Sequence, residues 1–147
     1  MQIRIMALND YHEIYVLWDA TPGIGLNDFD DSVGGIAKYL ARNPSTCFVA
    51  EKDGRIVGAV LSGHDGRRGS ILHLAVSEDE KRQGIGTALV DAALDALRSE
   101  GIRKVWLLVM GGNDRGNAFW EKQGFTLRTD INYRNKVITE NSCVAEA

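Results

Sequence analysis

The chain of 147 residues is 44% hydrophobic and 25% charged, a composition typical of one soluble globular domain. Its 17 basic and 20 acidic residues give a net charge of −3, which argues against a nucleic-acid or membrane-surface partner. Because no apolar run approaches the roughly 20 residues that span a bilayer, and the N-terminus lacks a signal-peptide pattern, we expect a cytoplasmic protein.

The first half of the chain predicts one strand, two helices and three further strands, in that order. We expect these elements over residues 3–5, 10–20, 33–42, 46–52, 55–62 and 70–76. Either Asp31 or Ser32 can cap the second helix through its side-chain oxygen. The dipeptide Asp53-Gly54 is a strong signal for a two-residue hairpin between the second and third strands.

The second half predicts two helices and three strands. A helix begins near Ile85, carries apolar residues four apart as far as Leu97, and is ended by Gly101. We expect a strand over residues 104–110, a helix over 115–122, and closing strands over 125–128 and 133–138. A single domain is expected over residues 1–140, with a frayed tail over 141–147. The order β-α-α-β-β-β-α-β-α-β-β predicts an α/β fold with a mixed sheet.

The most informative segment runs from Lys81 to Ala88 and reads Lys-Arg-Gln-Gly-Ile-Gly-Thr-Ala. Two glycines before a helix leave backbone N–H groups bare, and no Cβ blocks their approach to a ligand. The helix dipole adds about half a positive charge at this end, and the two basic side chains add more. Such a loop is suited to hold a phosphate or a pyrophosphate.

The position of the glycines decides which phosphate ligand the loop fits. In a dinucleotide fold the glycines follow the strand at once and a third glycine follows, whereas here residues 77–83 intervene and position 89 is leucine. No Gly-Lys-Ser/Thr follows, which excludes a Walker-type nucleotide site. The Arg-Gln-Gly-x-Gly pattern after a strand instead resembles the pyrophosphate loop of the GCN5-related N-acetyltransferases (GNATs), which bind acetyl-coenzyme A (acetyl-CoA) there.

A second motif of that family stands in the expected order. The family helix reads Asn-x-x-Ala-x-x-Phe/Leu-Tyr-Glu-Lys-x-Gly-Phe, and the segment from Asn113 to Phe125 reads Asn-Asp-Arg-Gly-Asn-Ala-Phe-Trp-Glu-Lys-Gln-Gly-Phe. The chain thus resembles a GNAT over nearly its whole length. The segment from Gly63 to Ser70, which reads Gly-His-Asp-Gly-Arg-Arg-Gly-Ser, also resembles small bacterial acetyltransferases whose acceptors are poorly defined. The resemblance implies a mostly antiparallel sheet of about seven strands with helices on both faces.

The resemblance also implies which residues hold acetyl-CoA. The pyrophosphate would lie on the glycine loop, formed by Lys81, Arg82, Gln83, Gly84, Ile85, Gly86 and Thr87. In the family, a bulge in the fourth strand frees backbone groups that pair with the pantetheine arm. Those groups would come from Leu74, Ala75 and Val76, and one N–H there would polarise the thioester carbonyl. The thioester would lie where the fourth and fifth strands splay apart, with Asn113 and the face of Trp120 lining the pantetheine.

Three positions depart from the family pattern, and the mildest departure is Lys81, where many members have an arginine that opens the glycine motif. Many members have a tyrosine, thought to protonate the departing thiolate, where this chain has Trp120, and some have a glutamate base where it has Leu108. An indole N–H does not titrate usefully, so Trp120 is not an ordinary general acid. An alkylamine with a pKa of about 10.4 is almost fully protonated at pH 7, so some group must accept its proton.

The candidates for this base are few. His73 lies on the fourth strand beside the expected thioester, although a packed, hydrogen-bonded histidine is the alternative interpretation. Tyr133 on the closing hairpin can stand in for the missing phenol, or simply pack there. His64 and Asp65 end the third strand near the expected acceptor side, although Asp65 also fits a turn.

Neither a metal nor a covalent enzyme intermediate is expected. The histidines at positions 12, 64 and 73 lack the spacing of metal ligands. Cys47 and Cys143 do not suggest a disulfide framework, and nothing in the sequence marks Cys47 as a nucleophile.

Acceptor specificity is expected from residues 18–31 and the closing hairpin. Asp28, Asp30 and Asp31 can attract a cationic amine, or they form a cap and a solvated surface. We expect acetyl-CoA-dependent transfer to a primary amine of a small molecule or to an exposed protein amine, by direct attack on the thioester. The alternative is an acyl-CoA-binding module that has lost transfer. The last strands are compatible with a homodimer and with a monomer.

Overall fold

The computed structural model describes residues 1–139, which form one five-stranded sheet and four α-helices. In chain order the elements are β1 Gln2–Ile5, α1 Tyr11–Asp19, α2 Val33–Arg42, β2 Phe48–Lys52, β3 Arg55–His64, β4 Gly69–Val76, α3 Ile85–Ser99, β5 Val105–Trp106 and α4 Asp114–Lys122. In this part of the chain no helix is long and apolar enough to cross a membrane.

Local sequence explains where several elements begin and end. The Ser32 hydroxyl caps α2 by accepting a hydrogen bond from the Gly35 N–H at 3.0 Å. Between β2 and β3, Asp53 and Gly54 both have positive φ, 52° and 75°, as a two-residue hairpin turn requires. Gly101, with φ of 84°, follows the end of α3. The predicted hairpin and the bounds predicted for α2 are confirmed.

The strands lie in the order β1-β2-β3-β4-β5, and all neighbours pair antiparallel except β4 and β5, which are parallel. The parallel pairing is brief, because it joins only Gly69 to Val105 and Ser70 to Trp106. Within residues 1–139, no strand pairs with the rest of β4 on that side. The edge of β4 from Ile71 to Val76 is therefore open, and its backbone groups can meet a ligand.

Helices cover both faces of the sheet, as predicted. Successive strand residues alternate between two apolar layers, so that Val49 and Ala59 face α1 and α2 while Ala50 and Val60 face α3. The largest side chain buried in the first layer is Trp18, which is 1% exposed. Burying a large apolar side chain contributes about 1.5–3 kcal/mol, so the two layers hold the helices against the sheet.

The prediction of about seven strands is wrong, because the described chain has five. The strand expected over residues 104–110 is reduced to Val105–Trp106, and the expected closing strands over 125–128 and 133–138 are irregular backbone. Isolated strand propensity is weak without a paired neighbour, and polar turn-forming residues interrupt this segment, where Asp130 binds Arg128 at 2.8 Å. The tail expected over residues 141–147 lies outside the described residues.

Candidate functional site

The glycine loop ends at the bare N-terminus of α3. Gly84 precedes the helix in a left-handed conformation with φ of 79°, and Arg82 also has a positive φ, of 67°. The first backbone hydrogen bond of α3 runs from the Ala88 N–H to the Gly84 carbonyl at 3.0 Å. The preceding amides, of Ile85, Gly86 and Thr87, therefore have no acceptor within the helix. This end of α3 can hold an anion.

Packing against α4 fixes the loop in place. A Cβ on Gly86 would lie 3.4 Å from the ring of Phe119, so the glycine lets α4 approach closely. The Thr87 hydroxyl accepts a hydrogen bond from Gln123 Nε2 at 3.0 Å. Of the two basic side chains, Lys81 forms a 3.6 Å ion pair with Glu78. Contacts with α4 therefore constrain the start of α3, while the Glu78 carboxylate offsets part of the charge of Lys81.

A cavity of about 390 Å³ lies between the glycine loop and the end of α1. Leu17, Thr21 and Pro22 line it on the helical side, and Val76 and Lys81 line it on the other. It therefore reaches the carboxyl end of β4, where the strand edge is open. The cavity thus borders the first residue of the glycine loop and the last residue of β4.

A β-bulge in β4 redirects the side chain of His73. Ala59 pairs with Ala75 and Leu61 with Leu72, so Val60 alone opposes both His73 and Leu74. His73 has a left-handed φ of 48°, which is rare for a residue with a Cβ. Alternation counted from Leu72, which lies in the α1 and α2 layer, would turn His73 to the α3 layer. The bulge instead places it beside Trp18 in the α1 and α2 layer.

His73 is held there by a buried carboxylate and an aromatic ring. Its Nε2 lies 2.9 Å from Asp31 Oδ1, with the two side chains 18% and 9% exposed. The indole of Trp18 meets the imidazole edge to face at 5.0 Å. Asp31 also accepts from the Asn27 N–H at 2.9 Å, and its carbonyl accepts from the Tyr11 hydroxyl at 2.6 Å. The segment before α2 is thereby tied to the bulge.

The comparisons with known proteins agree with this geometry. Residues 11–125 match the Acetyltransferase (GNAT) family. The chain belongs to this family. It is 30% identical to an acetyltransferase of Sodalis glossinidius over 96% of its own length and 98% of the relative, and 31% identical to an N-acetyltransferase of Yersinia pestis over 95% and 98%. The predicted enzyme class, an N-acetyltransferase, is confirmed.

Solved structures share the GNAT fold of this chain. Ard1 from Thermoplasma volcanium is similar with a TM-score of 0.77 and 26% identity, covering 86% of this chain and 83% of that chain. An N-acetyltransferase of Thermoplasma acidophilum, PaiA, solved in complex with coenzyme A, is similar with a TM-score of 0.73 and 20% identity over 86% and 90%. The sheet with helices on both faces is thus the GNAT architecture.

The GNAT helix motif lies on α4 and its flanks. The Asn113 side chain caps α4 by accepting from the Gly116 N–H at 2.9 Å. A Cβ on Gly23 would lie 2.7 Å from Asn113 Nδ2, so the start of α4 contacts the segment after α1. Trp120 packs edge to face against Phe119 and Phe125, with ring centroids 5.0 and 5.1 Å apart. Its contacts are those of a packed aromatic side chain.

The remaining candidate bases do not join His73. Tyr133 is 65% exposed and its hydroxyl lies 3.4 Å from Asn135 Nδ2. Its catalytic role remains a prediction. His64 binds Glu100 at 2.7 Å at the far end of β3. Asp65 accepts from the N–H groups of residues 67 and 68, bonds that lower the pKa of its carboxyl. His64 therefore binds the residue that follows α3. Asp65 forms the turn after β3, which the sequence analysis gave as the alternative interpretation of this residue.

The site lacks the features of covalent or metal catalysis in the part of the chain that the structure describes. Cys47 is buried, its thiol donates to the Ser62 carbonyl at 3.2 Å, and burial raises its pKa to about 11. A thiol in this state is a poor nucleophile at neutral pH. Over residues 1–139, no three His, Cys, Asp or Glu side chains are grouped to hold a metal ion.

Sequence reasoning missed the contact between Asp31 and His73 and the unpaired N–H of the Trp18 indole. The Trp18 Nε1 atom has no hydrogen-bond partner within the described residues. The two members of the pair are 42 positions apart, and only the bulge turns them toward each other. The alternating pattern of β4 gives no local signal for a bulge, since the residues on either side remain apolar.

Proposed function

We propose that the protein transfers the acetyl group of acetyl-CoA to a primary amine of a small molecule or to an exposed amine of a protein. The observation that carries this proposal is the bare N-terminus of α3 beside the open edge of β4. The first fits a pyrophosphate, and the second offers the backbone groups that a pantetheine arm pairs with. The coenzyme A held by the similar PaiA structure supports the same ligand class.

The residues proposed to hold the cosubstrate follow from this arrangement. Lys81, Arg82, Gln83, Gly84, Ile85, Gly86 and Thr87 would bind the pyrophosphate, and Leu74, Ala75 and Val76 the pantetheine. Asn113 and Trp120, on α4, would border the same ligand. An N–H near the bulge would polarise the thioester carbonyl, as an oxyanion-hole donor does.

Transfer would proceed by direct attack of the amine nitrogen on the thioester carbon. A nitrogen–carbon bond forms, the carbon–sulfur bond breaks, and coenzyme A leaves with the electron pair of that bond. Because an alkyl thiol has a pKa of about 8.5, the thiolate can leave without a strong general acid. This makes the presence of Trp120 in place of a tyrosine compatible with turnover.

Acetyl-CoA binding tests the proposal through two matched glycine variants. Gly84 and Gly101 lie at opposite ends of α3, both have a left-handed φ, and no atom lies within 4 Å of a Cβ at either position. Alanine at either site imposes a similar backbone cost of about 1–2 kcal/mol. Only Gly84→Ala should weaken acetyl-CoA binding in calorimetry, because only it disturbs the loop. Equal affinities for both variants would contradict the assigned site.

Turnover separates the enzyme from the binding module. We expect acetyl-CoA to raise the melting temperature by several degrees at a hundred times its Kd, about 2.7 kcal/mol of stabilisation. We expect coenzyme A thiol to be released with glycinamide or a lysine-containing peptide. Exposed Leu108, where some family members have a glutamate base, favours the second candidate, a binding module. Binding without thiol release across an amine panel would support that candidate.

A further inference from the structure

The left-handed backbone of His73 in the β4 bulge has a cost in free energy, which contacts with neighbouring groups must offset. A residue with a Cβ in the left-handed region costs on the order of 1–3 kcal/mol and persists only when its surroundings fix it. For His73 those surroundings are the Asp31 carboxylate and the edge of the Trp18 ring. Such strain is common at sites where a side chain must point in one direction.

The contact with Asp31 also decides which imidazole nitrogen is free. An ionised carboxylate only accepts hydrogen bonds, so in the neutral ring the proton lies on Nε2 and is donated to Asp31 Oδ1. Nδ1 then carries the lone pair, and within residues 1–139 no group binds it. The ring remains 18% exposed, so this nitrogen is within reach of solvent or a ligand.

A second polar atom near the bulge lacks a partner. The indole of Trp18 is 1% exposed and its Nε1 has no acceptor within the described residues. An unpaired buried donor costs about 1–3 kcal/mol, so this indole is a second unfavourable feature beside the bulge. The unpaired indole N–H and the imidazole nitrogen that Asp31 leaves free thus belong to two side chains in contact with each other.

We infer that Asp31 is the positioning residue that makes His73 the proton acceptor of the transfer reaction, an inference that rests on the proposed function. The attacking amine, bound in its neutral form, loses one proton to His73 Nδ1 as the nitrogen–carbon bond forms. The imidazolium, stabilised by the Asp31 carboxylate, then returns this proton to the departing thiolate or to water. Asp31 does not touch the substrate; it fixes the tautomer and the direction of the ring.

The same carboxylate links the base to the segment before α2. Asp31 Oδ2 accepts from the Asn27 N–H at 2.9 Å while Oδ1 holds His73. One residue therefore orders residues 27–31 and the imidazole together. Ser32, and not Asp31, caps α2. The Asp31 carboxylate is therefore available to bind Asn27 and His73.

The test combines His73→Gly, Asp31→Asn and the exposed α3 variant Asp91→Asn as a control. Glycine suits the left-handed backbone at position 73 and leaves space for imidazole added to the buffer. We expect His73→Gly to lower kcat at least 100-fold without changing the KM for acetyl-CoA, and imidazole to restore at least tenfold. Asp31→Asn should lower kcat about tenfold or more, and Asp91→Asn should leave it unchanged.

The double variant His73→Gly/Asp31→Asn decides between positioning and mere packing. If Asp31 orients the base, imidazole should no longer rescue the double variant, although acetyl-CoA still binds. Wild-type kcat in Asp31→Asn, or no imidazole rescue of the folded His73→Gly variant, would overturn the inference. A wild-type protein that fails to bind acetyl-CoA would instead refute the proposed function, so the two failures are distinguishable.

Discussion

At the level of single residues, two adjacent glycines of α2 have different surroundings. A Cβ on Gly35 would lie 2.2 Å from the backbone oxygen of Asp30, whereas the nearest atom to a Cβ on Gly34 is the Ser32 hydroxyl at 3.9 Å. Only a glycine at position 35 lets α2 begin against the segment that carries Asp31. Gly34 has no such constraint, so its helix-weakening effect is not offset by packing.

The paired alanine variants should therefore change stability in opposite directions. Gly34→Ala should stabilise the protein by about 0.5–1 kcal/mol, because alanine loses less backbone entropy in a helix. Gly35→Ala should destabilise it by about 1–3 kcal/mol or more, since the contact is with backbone and cannot relax through a rotamer. Urea unfolding of both variants measures the difference. A stabilised Gly35→Ala variant would show that residues 29–31 are not held against α2.

At the level of elements, the sequence predicted best what is decided locally. The hairpin turn at Asp53-Gly54 and the helix Val33–Arg42 depend on neighbours within a few residues, and both are present. β5 and the closing segment depend on distant partners, and the structure forms only two parallel pairs there. Strand propensity without a partner is a weak guide, which is why seven strands were expected and five are found.

The candidate site also contains one part that depends on local sequence and one part that depends on distant residues. The glycine loop was predictable, because Gly84 and Gly86 indicate the start of a helix whose first amides have no acceptor within the helix. The contact between His73 and Asp31 was not, since it depends on a bulge that shifts the alternation of β4 by one residue. The sequence named His73 as a candidate base and Asp31 as an attractor of a cationic amine, a cap or a surface charge, and gave no reason to join them.

One ionic contact joins β1, β2 and the start of α1. Arg4 makes two hydrogen bonds of 2.9 Å to the Asp10 carboxylate and one of 3.3 Å to Glu51. Asp10 also accepts from the Ala7 N–H at 2.9 Å. The Arg4 guanidinium, aided by the Ala7 amide, lowers the pKa of the Asp10 carboxyl. This carboxylate therefore stabilises the turn that leads into α1.

Replacing Asp10 by asparagine should weaken this junction in a pH-dependent manner. A lowered folded-state pKa means that the contribution is complete above the unfolded value and is lost as pH falls through the folded value. At pH 7 we expect Asp10→Asn to cost about 1–3 kcal/mol, and the gap to wild type should narrow as the pH falls below about 4, the unfolded value. Urea unfolding at several pH values measures it. A gap that does not depend on pH would contradict the ionic origin.

Asp95→Asn is the matched control for this variant. Asp95 pairs with Arg98 at 2.6 Å on the surface of α3, with side chains 76% and 70% exposed, whereas those of Asp10 and Arg4 are 11% and 31% exposed. Solvent screens an exposed pair, so its loss should change stability far less. A similar loss of stability in Asp10→Asn and Asp95→Asn would mean that burial does not strengthen the Asp10–Arg4 ion pair.

At the level of the whole molecule, the sheet has one closed and one open region. β2, β3 and β4 pair along most of their lengths between two apolar layers. Past Gly69 and Ser70, β4 loses its neighbour on the β5 side, and the glycine loop follows at its carboxyl end. Within residues 1–139, the arrangement separates a paired scaffold from strand-edge backbone groups that a ligand can satisfy.

Hydrogen exchange can locate this ligand across the whole chain. Acetyl-CoA at a hundred times its Kd should slow exchange up to about 100-fold at the amides that it covers. We expect protection in residues 73–76 and 82–87, because the first belong to the open edge of β4 and the second to the bare start of α3. ATP carries phosphates but no pantetheine, so any protection that it gives should stop at the loop. Protection by acetyl-CoA of the loop alone would mean that the pantetheine does not lie along β4, and the proposed path of the thioester to His73 would then be wrong.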